Sequence, residues 1–250
     1  MNLFASDFDG TLFFKGREPS FRTDDMQAVA AFQKLGGLFG VCTGRSQAGI
    51  TVPVKSMPLH FDFYILASGA LVLDGDLQVI DTCTIPKALV AELYDRFRGE
   101  AEIVIQANDT VYSFCKSSPM QTLISDVQEI PGDRFYGLSF GTDREEAARH
   151  LAQCLNENYG DMVRAFVNVR HVDLVRRDCS KGTALQKAAA YFGAGRSGGI
   201  GDSYNDIPLL AACDTAYTFH RAPYCVRAQA DVLVDTVAEA LHDFSSRDQR

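Results

Sequence analysis

Short apolar runs alternate with helical stretches in the first eighty residues and again after residue 178, which predicts an α/β fold with a mainly parallel sheet. Between them, strands fall in adjacent pairs, which predicts an inserted α+β domain with one antiparallel sheet. The length agrees, because 250 residues exceed one ordinary domain and fall short of two full ones. Leu3 to Ser6 reads as a short buried strand. Thr23 reads as the cap of a helix carrying Met26, Val29 and Ala30 on one face and closed by Gly36-Gly37. Leu38 to Cys42 is a second strand, followed by a loop with Pro53 and Pro58, and Phe61 to Ala67 is a third. Leu71 to Leu73 and Leu77 to Ile80 flank an Asp74-Gly75 turn, a hairpin signature.

The rhythm then changes. A helix is expected over Pro86 to Phe97, strands over Glu102 to Ala107 and Val111 to Lys116, and a helix near Pro119 to Val127. Strand Phe135 to Phe140, helix Asp143 to Asn158 and strands Met162 to Asn168 and His171 to Arg176 complete the insertion. The α/β rhythm resumes with helix Lys181 to Phe192, strand Gly198 to Gly201, helix Tyr204 to Ala212, strands Thr215 to Phe219 and Asp231 to Val234, and a last helix through Leu241. The expected units are therefore core residues 1–83, an insertion over 84–177, and core residues 178–250.

Hydrophobic residues at 46% and charged residues at 22% exclude a disordered or fibrous chain. No apolar run approaches the roughly 18 residues of a membrane span. The formal charge of −8, with no Lys/Arg run, argues against nucleic acid as a partner. The amino terminus carries no positive region before Asp7, so a cytoplasmic location is expected. Seven cysteines without C-x-x-C spacing read as reduced core thiols. Five scattered histidines offer no zinc pattern.

Parallel sheets bind ligands at the carboxyl ends of their strands, and the acidic and small residues gather there. Asp7-Phe8-Asp9-Gly10-Thr11-Leu12 follows the first strand, and an i, i+2 pair of aspartates can direct both carboxylates into one cleft. Alone, it is equally an acidic loop. Thr43-Gly44-Arg45 ends the second strand, where a hydroxyl and backbone N–H groups suit a phosphate oxygen. Lys181 opens a helix, although the positive end of the helix dipole repels a cation, so a neighbouring anion or acidic cluster is expected to hold it there. Gly201-Asp202-Ser203-Tyr204-Asn205-Asp206 adds two carboxylates and an amide at another strand end. Four aspartates so gathered need positive charge, and Mg²⁺ takes few carboxylates with the rest of its shell from water and substrate. Asp7, the Asp9 carbonyl and Asp202 suit it.

These four segments, in this order, resemble the motifs of the haloacid dehalogenase (HAD) superfamily of phosphatases, and the resemblance runs the length of the chain. Asp7 to Phe13 resembles motif I, Thr43-Gly44-Arg45 motif II, Lys181 motif III and Gly201 to Asp206 motif IV. The insertion is similar to the C2B cap of the Cof-type branch. The resemblance implies a Rossmann-like core and a Mg²⁺-dependent phosphatase acting on a small phosphorylated metabolite, with a sugar phosphate as the expected substrate. It implies Asp7 as nucleophile forming an aspartyl-phosphate, Asp9 as general acid/base, and Thr43, Gly44 and Lys181 as holders of the transferring oxygens. It further implies Asp202 as metal ligand, with Asn205 and Asp206 supporting metal and lysine. Arg45 is a weaker candidate, for substrate contact or for pairing with a surface carboxylate. Arg170 and His171 read as a solvated turn, and Phe13 and Phe14 as core. One departure stands out: Ser68 occupies the place of an asparagine that many Cof-type members carry, and it reaches less far. A phosphomutase of the same superfamily and a phospho-receiver module are the alternatives, the latter disfavoured by chain length and by the insertion. A monomer is expected.

Overall fold

The computed structural model describes residues 1–55, 57–115 and 121–247. The first part of the chain forms β1 (Asn2–Asp7), α1 (Thr23–Lys34), β2 (Leu38–Cys42), α2 (Gln47–Lys55), β3 (Phe63–Leu66), β4 (Leu71–Asp74) and β5 (Val79–Thr82). The middle forms α3 (Lys87–Phe97), β6 (Glu102–Ala107), β7 (Thr110–Ser113), β8 (Gln121–Leu123), β9 (Phe135–Gly141), α4 (Glu145–Tyr159), β10 (Val163–Asn168) and β11 (His171–Arg176). The last part forms α5 (Lys181–Phe192), β12 (Arg196–Gly201), α6 (Ile207–Ala212), β13 (Thr215–Phe219), α7 (Tyr224–Arg227), β14 (Val232–Val234) and α8 (Val237–Ser246).

The first and last parts share one sheet, ordered β14-β13-β12-β1-β2-β3-β4-β5. It is parallel from β14 to β3 and antiparallel over β3-β4-β5. Successive side chains of β1 point to opposite faces. Leu3 and Ala5 share a buried cluster with Leu185 and Ala188 of α5 and Leu209 of α6. Phe4 turns the other way, against Phe32 of α1, Phe39 of β2 and Phe244 of α8, with ring centroids 6.4, 6.0 and 5.4 Å away. Burial of each such ring contributes about 1.5–3 kcal/mol, so helices on both faces hold the centre of the sheet rigid. Strand order reverses at β1, whose neighbours β2 and β12 come from opposite ends of the chain, and a crevice forms at such a point.

The middle part forms its own sheet, ordered β10-β11-β9-β6-β7-β8 and antiparallel except for the β7–β8 pair. Leu93 of α3 and Leu155 of α4 pack with Ile105, Leu138 and Phe140 on one face of it. The alternate residues Gln106, Ser139 and Asp173 lie on the other face, turned toward the parallel sheet.

Several local expectations are corrected. Thr23 is the first helical residue of α1; Arg22 is the N-cap, with no side-chain cap, and Ala30 is exposed while Asp25, Ala28 and Phe32 join Met26 and Val29 in the buried face. The expected loop around Pro53 contains α2. Pro53 has no N–H to give Gly49, and the Gly49 carbonyl instead accepts from Arg45 Nη1 at 2.9 Å, so the proline is tolerated. The expected helix near Pro119 to Val127 is replaced by β8 and a 3₁₀ turn, Val127–Glu129, capped at Asp126. Pro119, Met120 and Lys116, the last residue of an expected strand, lie outside the described residues. The cysteines are not all core: Cys42, Cys83 and Cys179 are buried, but Cys115 and Cys225 are exposed.

Candidate active site

Register brings the motif residues to one edge. Asp7 is level with Cys42 of β2, and Ser6 is level with Ile200 of β12. Asp7, Thr43 and Asp202 therefore leave three adjacent parallel strands side by side.

Lys181 enters from the start of α5. Ser180 caps that helix reciprocally, its Oγ accepting from Thr183 N–H at 3.1 Å while its N–H donates to Thr183 Oγ1 at 2.9 Å. The helix start is also pinned from below: Ala67, Ser68 and Gly69 all have positive φ, and a Cβ on Gly69 would stand 2.3 Å from the Ser180 carbonyl oxygen. Only glycine allows that approach. Thus placed, the Lys181 ammonium is 1% exposed and donates to Asp7 Oδ1 at 2.7 Å and Asp206 Oδ1 at 2.5 Å. The expected acidic partners of the misplaced cation are these two carboxylates. The other oxygen of Asp206 accepts the backbone N–H groups of Asp202 and Ser203, each at 3.0 Å, which fixes the loop carrying Asp202.

Negative charge is in excess. Burial first, and then the Asp206 carboxylate, push Asp7 up to about 8, against the pull of Lys181. Burial and Asp206 likewise push Asp202 up to about 6. Burial works to deprotonate Lys181, but Asp206 and Asp7 outweigh it and hold the ammonium charged well above its ordinary range. Oxygens of Asp7, Asp202 and Asp206 lie within 4.8 Å of one another. Asp206 is already engaged by Lys181 and two N–H groups, so Asp7 and Asp202 are the carboxylates best able to hold a divalent cation, a charge this cluster lacks.

Asp9 stands at the mouth. Its carboxylate accepts Arg45 Nε at 2.7 Å and Nη2 at 2.6 Å, a bidentate pair. The Arg45 guanidinium also lies over the Phe8 and Phe13 rings, 5.2 and 5.3 Å from their centroids. Arg45 thus pairs with a carboxylate, but with one inside the site. Phe13 stacks on Phe8 and belongs with the core, as expected. Thr43 is buried, its Oγ1 accepting Arg45 N–H at 3.2 Å. Gly44 lies beneath the inserted domain: a Cβ there would meet Asp173 Oδ2 at 3.2 Å and Ser68 Oγ at 3.3 Å, and its carbonyl accepts Gln106 Nε2 at 3.0 Å. Asn205 lines the same cavity.

That cavity, about 210 Å³, is closed from above by Gln106, Ser139, Asn168, His171 and Asp173 of the inserted domain. His171 was expected on a solvated turn; it is exposed, but it borders the site. Asp173 accepts from Ser139 Oγ at 3.0 Å and Asn168 Nδ2 at 3.4 Å, and burial pushes its carboxyl up. Gln106 Oε1 is buried without a partner. The cavity borders a wider chamber of about 560 Å³ that shares Arg45, Gln106, Ser139 and His171. Sequence reasoning did not single out Gln106, Ser139, Asn168 or Asp173. Their only signal is period-two alternation, polar Gln106, Ser139 and Asp173 each following an apolar neighbour in its strand. Arg221 was also missed; its Nη2 donates to the Gly10 carbonyl at 2.7 Å and lies 3.9 Å from Asp202.

A family model for haloacid dehalogenase-like hydrolases matches residues 4–240. The chain therefore belongs to the haloacid dehalogenase-like hydrolase family. No match is found among curated proteins. Among solved structures, a haloacid dehalogenase-like hydrolase from B. subtilis is similar at TM-score 0.85 and 18% identity, covering 97% of this chain and 98% of that one. A phosphatase of the same superfamily from Bacteroides thetaiotaomicron is similar at TM-score 0.79 and 22% identity, with coverage of 98% and 95%. A subclass IIB sugar phosphatase is similar at TM-score 0.80 and 18% identity, with coverage of 98% and 99%. Among the described residues, no helix is long and apolar enough to cross a membrane.

Proposed function

We propose that the protein is a Mg²⁺-dependent phosphatase that hydrolyses a small phosphorylated metabolite, a sugar phosphate, through an aspartyl-phosphate on Asp7. The observation that carries this reading is the buried Lys181 ammonium between Asp7 and Asp206, with Asp202 alongside and Asp9 at the mouth. Asp7 attacks phosphorus in line, and its ester is later cleaved by water, so one difficult displacement becomes two easier ones. Asp9 protonates the leaving oxygen and afterwards takes a proton from the attacking water, exchanging its Arg45 partner for substrate as it does so. Thr43 Oγ1, the Gly44 backbone and Lys181 hold the transferring oxygens. Asp7, Asp202 and the Asp9 carbonyl would hold Mg²⁺, which supplies the positive charge that offsets the carboxylates and the incoming phosphate.

The choice of a sugar rests on the inserted domain. Among the described residues no Phe or Tyr lines the cavity or the chamber, and His171 is the one ring there, so a flavin, nucleobase or pyridoxal ring finds no broad aromatic surface. Gln106, Ser139, Asn168 and Asp173 instead offer donors and acceptors suited to hydroxyl groups. The Asp173 carboxylate also disfavours a second phosphate, which weighs against a bisphosphorylated mutase substrate. The test is phosphate release from a panel of sugar phosphates, nucleotides, flavin mononucleotide and pyridoxal phosphate, with and without Mg²⁺, using Asp7→Asn as blank. Mg²⁺-dependent release led by the sugars and absent in the variant is expected. Isomerisation without phosphate accumulation would refute the hydrolase.

A further inference from the structure

One carbonyl in the loop after β2 is served from outside the parallel core. The Thr43 carbonyl accepts Ser68 N–H at 3.0 Å and the Arg45 carbonyl accepts Ala67 N–H at 2.8 Å, so the turn at Ala67–Gly69 fixes both ends of Thr43-Gly44-Arg45. The Gly44 carbonyl between them accepts instead from Gln106 Nε2 of the inserted domain, at 3.0 Å. Gly44 has no side chain to restrict its peptide, so that bond sets how the plane lies. The Gly44 carbonyl and the Arg45 N–H belong to one planar unit, and this N–H donates to Thr43 Oγ1 at 3.2 Å. The Thr43 hydroxyl accepts there, which leaves its own proton to donate. The side chain carried by the same unit, Arg45, holds Asp9.

Gln106 is aimed for this contact and gains little else from it. β6 shifts register on β9 between Gln106 and Ala107, and an irregularity of that kind re-aims a side chain. Its Oε1 is buried and meets no donor among the described residues. The bond gained at Gly44 is thus set against an acceptor left unmet, and the second costs at least as much as the first brings. As a tie between the two sheets Gln106 is close to neutral, so its effect lies in orientation. We infer that Gln106 is a positioning residue that couples docking of the inserted domain to catalysis, by turning the Gly44–Arg45 peptide so that the Thr43 hydroxyl faces the transferring oxygen. With the inserted domain docked, Nε2 reaches Gly44 and Thr43 is aligned. With the domain displaced, the Gly44 carbonyl turns to water and the hydroxyl loses its orientation. The role given to Thr43 rests on the phosphatase reading; the hydrogen bonds that align it do not depend on substrate.

Gln106→Met keeps the length of the side chain and removes the amide, and Gln106→Glu keeps the shape and removes only the donor. In the full chain without substrate, hydrogen exchange of the Arg45 amide is expected to rise about two- to tenfold in both, the worth of one neutral hydrogen bond. The unfolding temperature of the Met variant is expected to stay within about 2 °C of the wild type. Turnover is read with para-nitrophenyl phosphate, whose leaving group has no hydroxyl for Gln106 to recognise. A fall in kcat of about 10–100-fold is expected, with KM little changed. In Thr43→Val, which already lacks the hydroxyl, Gln106→Met is expected to cost less than about twofold more. Losses that multiply in the double variant overturn the relay through Thr43, since a role in folding alone acts independently of that hydroxyl. Unchanged exchange at Arg45 overturns it too, whatever the activity. If the wild type releases no phosphate from any compound, the phosphatase reading fails, and exchange at Arg45 still decides whether Gln106 sets this peptide.

Discussion

Lys181→Met removes the cation that, among the described residues, reaches both Asp7 and Asp206, and leaves the apolar stem in place. The ammonium is 1% exposed and its two contacts are 2.7 and 2.5 Å long. Removing one partner of a buried ion pair costs about 3–5 kcal/mol, because the remaining charge is stranded. For a protein of this size that corresponds to a fall of about 6–20 °C in unfolding temperature, at about 2–4 °C per kcal/mol. The loss must depend on pH. In the native protein Asp7 is raised from 3.8 to about 8, so the folded state holds a proton that the unfolded chain has released. Stability from that shift is complete below pH 3.8 and is lost as pH rises through about 8. Without Lys181 the carboxylates bind protons more tightly still, so the variant suffers less at pH 5 and most at pH 8. Mg²⁺ restores part of the loss, by about 2.7 kcal/mol at a hundredfold excess over its dissociation constant. Thermal unfolding at both pH values, with and without Mg²⁺, measures this. Equal destabilisation at pH 5 and pH 8, or no rescue by Mg²⁺, would refute the view that surplus negative charge organises the site.

Three further outcomes are expected. Mg²⁺ affinity of the wild type, followed by titration calorimetry, rises with pH by up to about tenfold per unit for each proton displaced, then levels above about 8 where Asp7 is ionised; a flat profile would contradict a role for Asp7 as ligand. Asp9→Asn slows hydrolysis of a substrate with a poor leaving group by about 10²–10⁴-fold, the usual share of a general acid/base, with little change in unfolding temperature. Gly69→Ala forces a Cβ to 2.3 Å from the Ser180 carbonyl at a φ of +105°, so it destabilises by more than about 1 kcal/mol and lowers turnover through a displaced Lys181; urea unfolding and phosphate release together check it.

The parallel core and the residues at its strand ends were legible because they are local. A strand followed by Asp7, another by Thr43 and another by Asp202 can be read along the chain, and parallel pairing then aligns their ends without further information. Lys181 was legible for a different reason: a cation at a helix start is unfavourable alone, so the sequence itself demanded the carboxylates that the structure supplies. Arg45 was not resolved by the same logic, since substrate and a surface carboxylate satisfy it equally until the fold places the Asp9 carboxylate 2.6 Å away. The α2 helix was missed because Pro53 reads as a breaker, and its tolerance depends on a side chain from outside the helix, Arg45 on the Gly49 carbonyl.

The inserted domain shows where local reading ends. Alternation in β6, β9 and β11 separates an apolar face from a polar one, and α3 and α4 account for the apolar face. Nothing along the chain distinguishes a polar face turned to water from one turned to a catalytic edge. That difference is made by docking, and docking is held by contacts such as Gln106 on the Gly44 carbonyl and Asp173 above Gly44. Gly44 is therefore doubly constrained, by the phosphate expected below it and by the inserted domain above it. A side chain there would act on both at once. On the proposed reading, the residues that would choose the leaving group thus touch those that would hold the phosphate, and recognition and catalysis would meet at a position too small to bear a side chain.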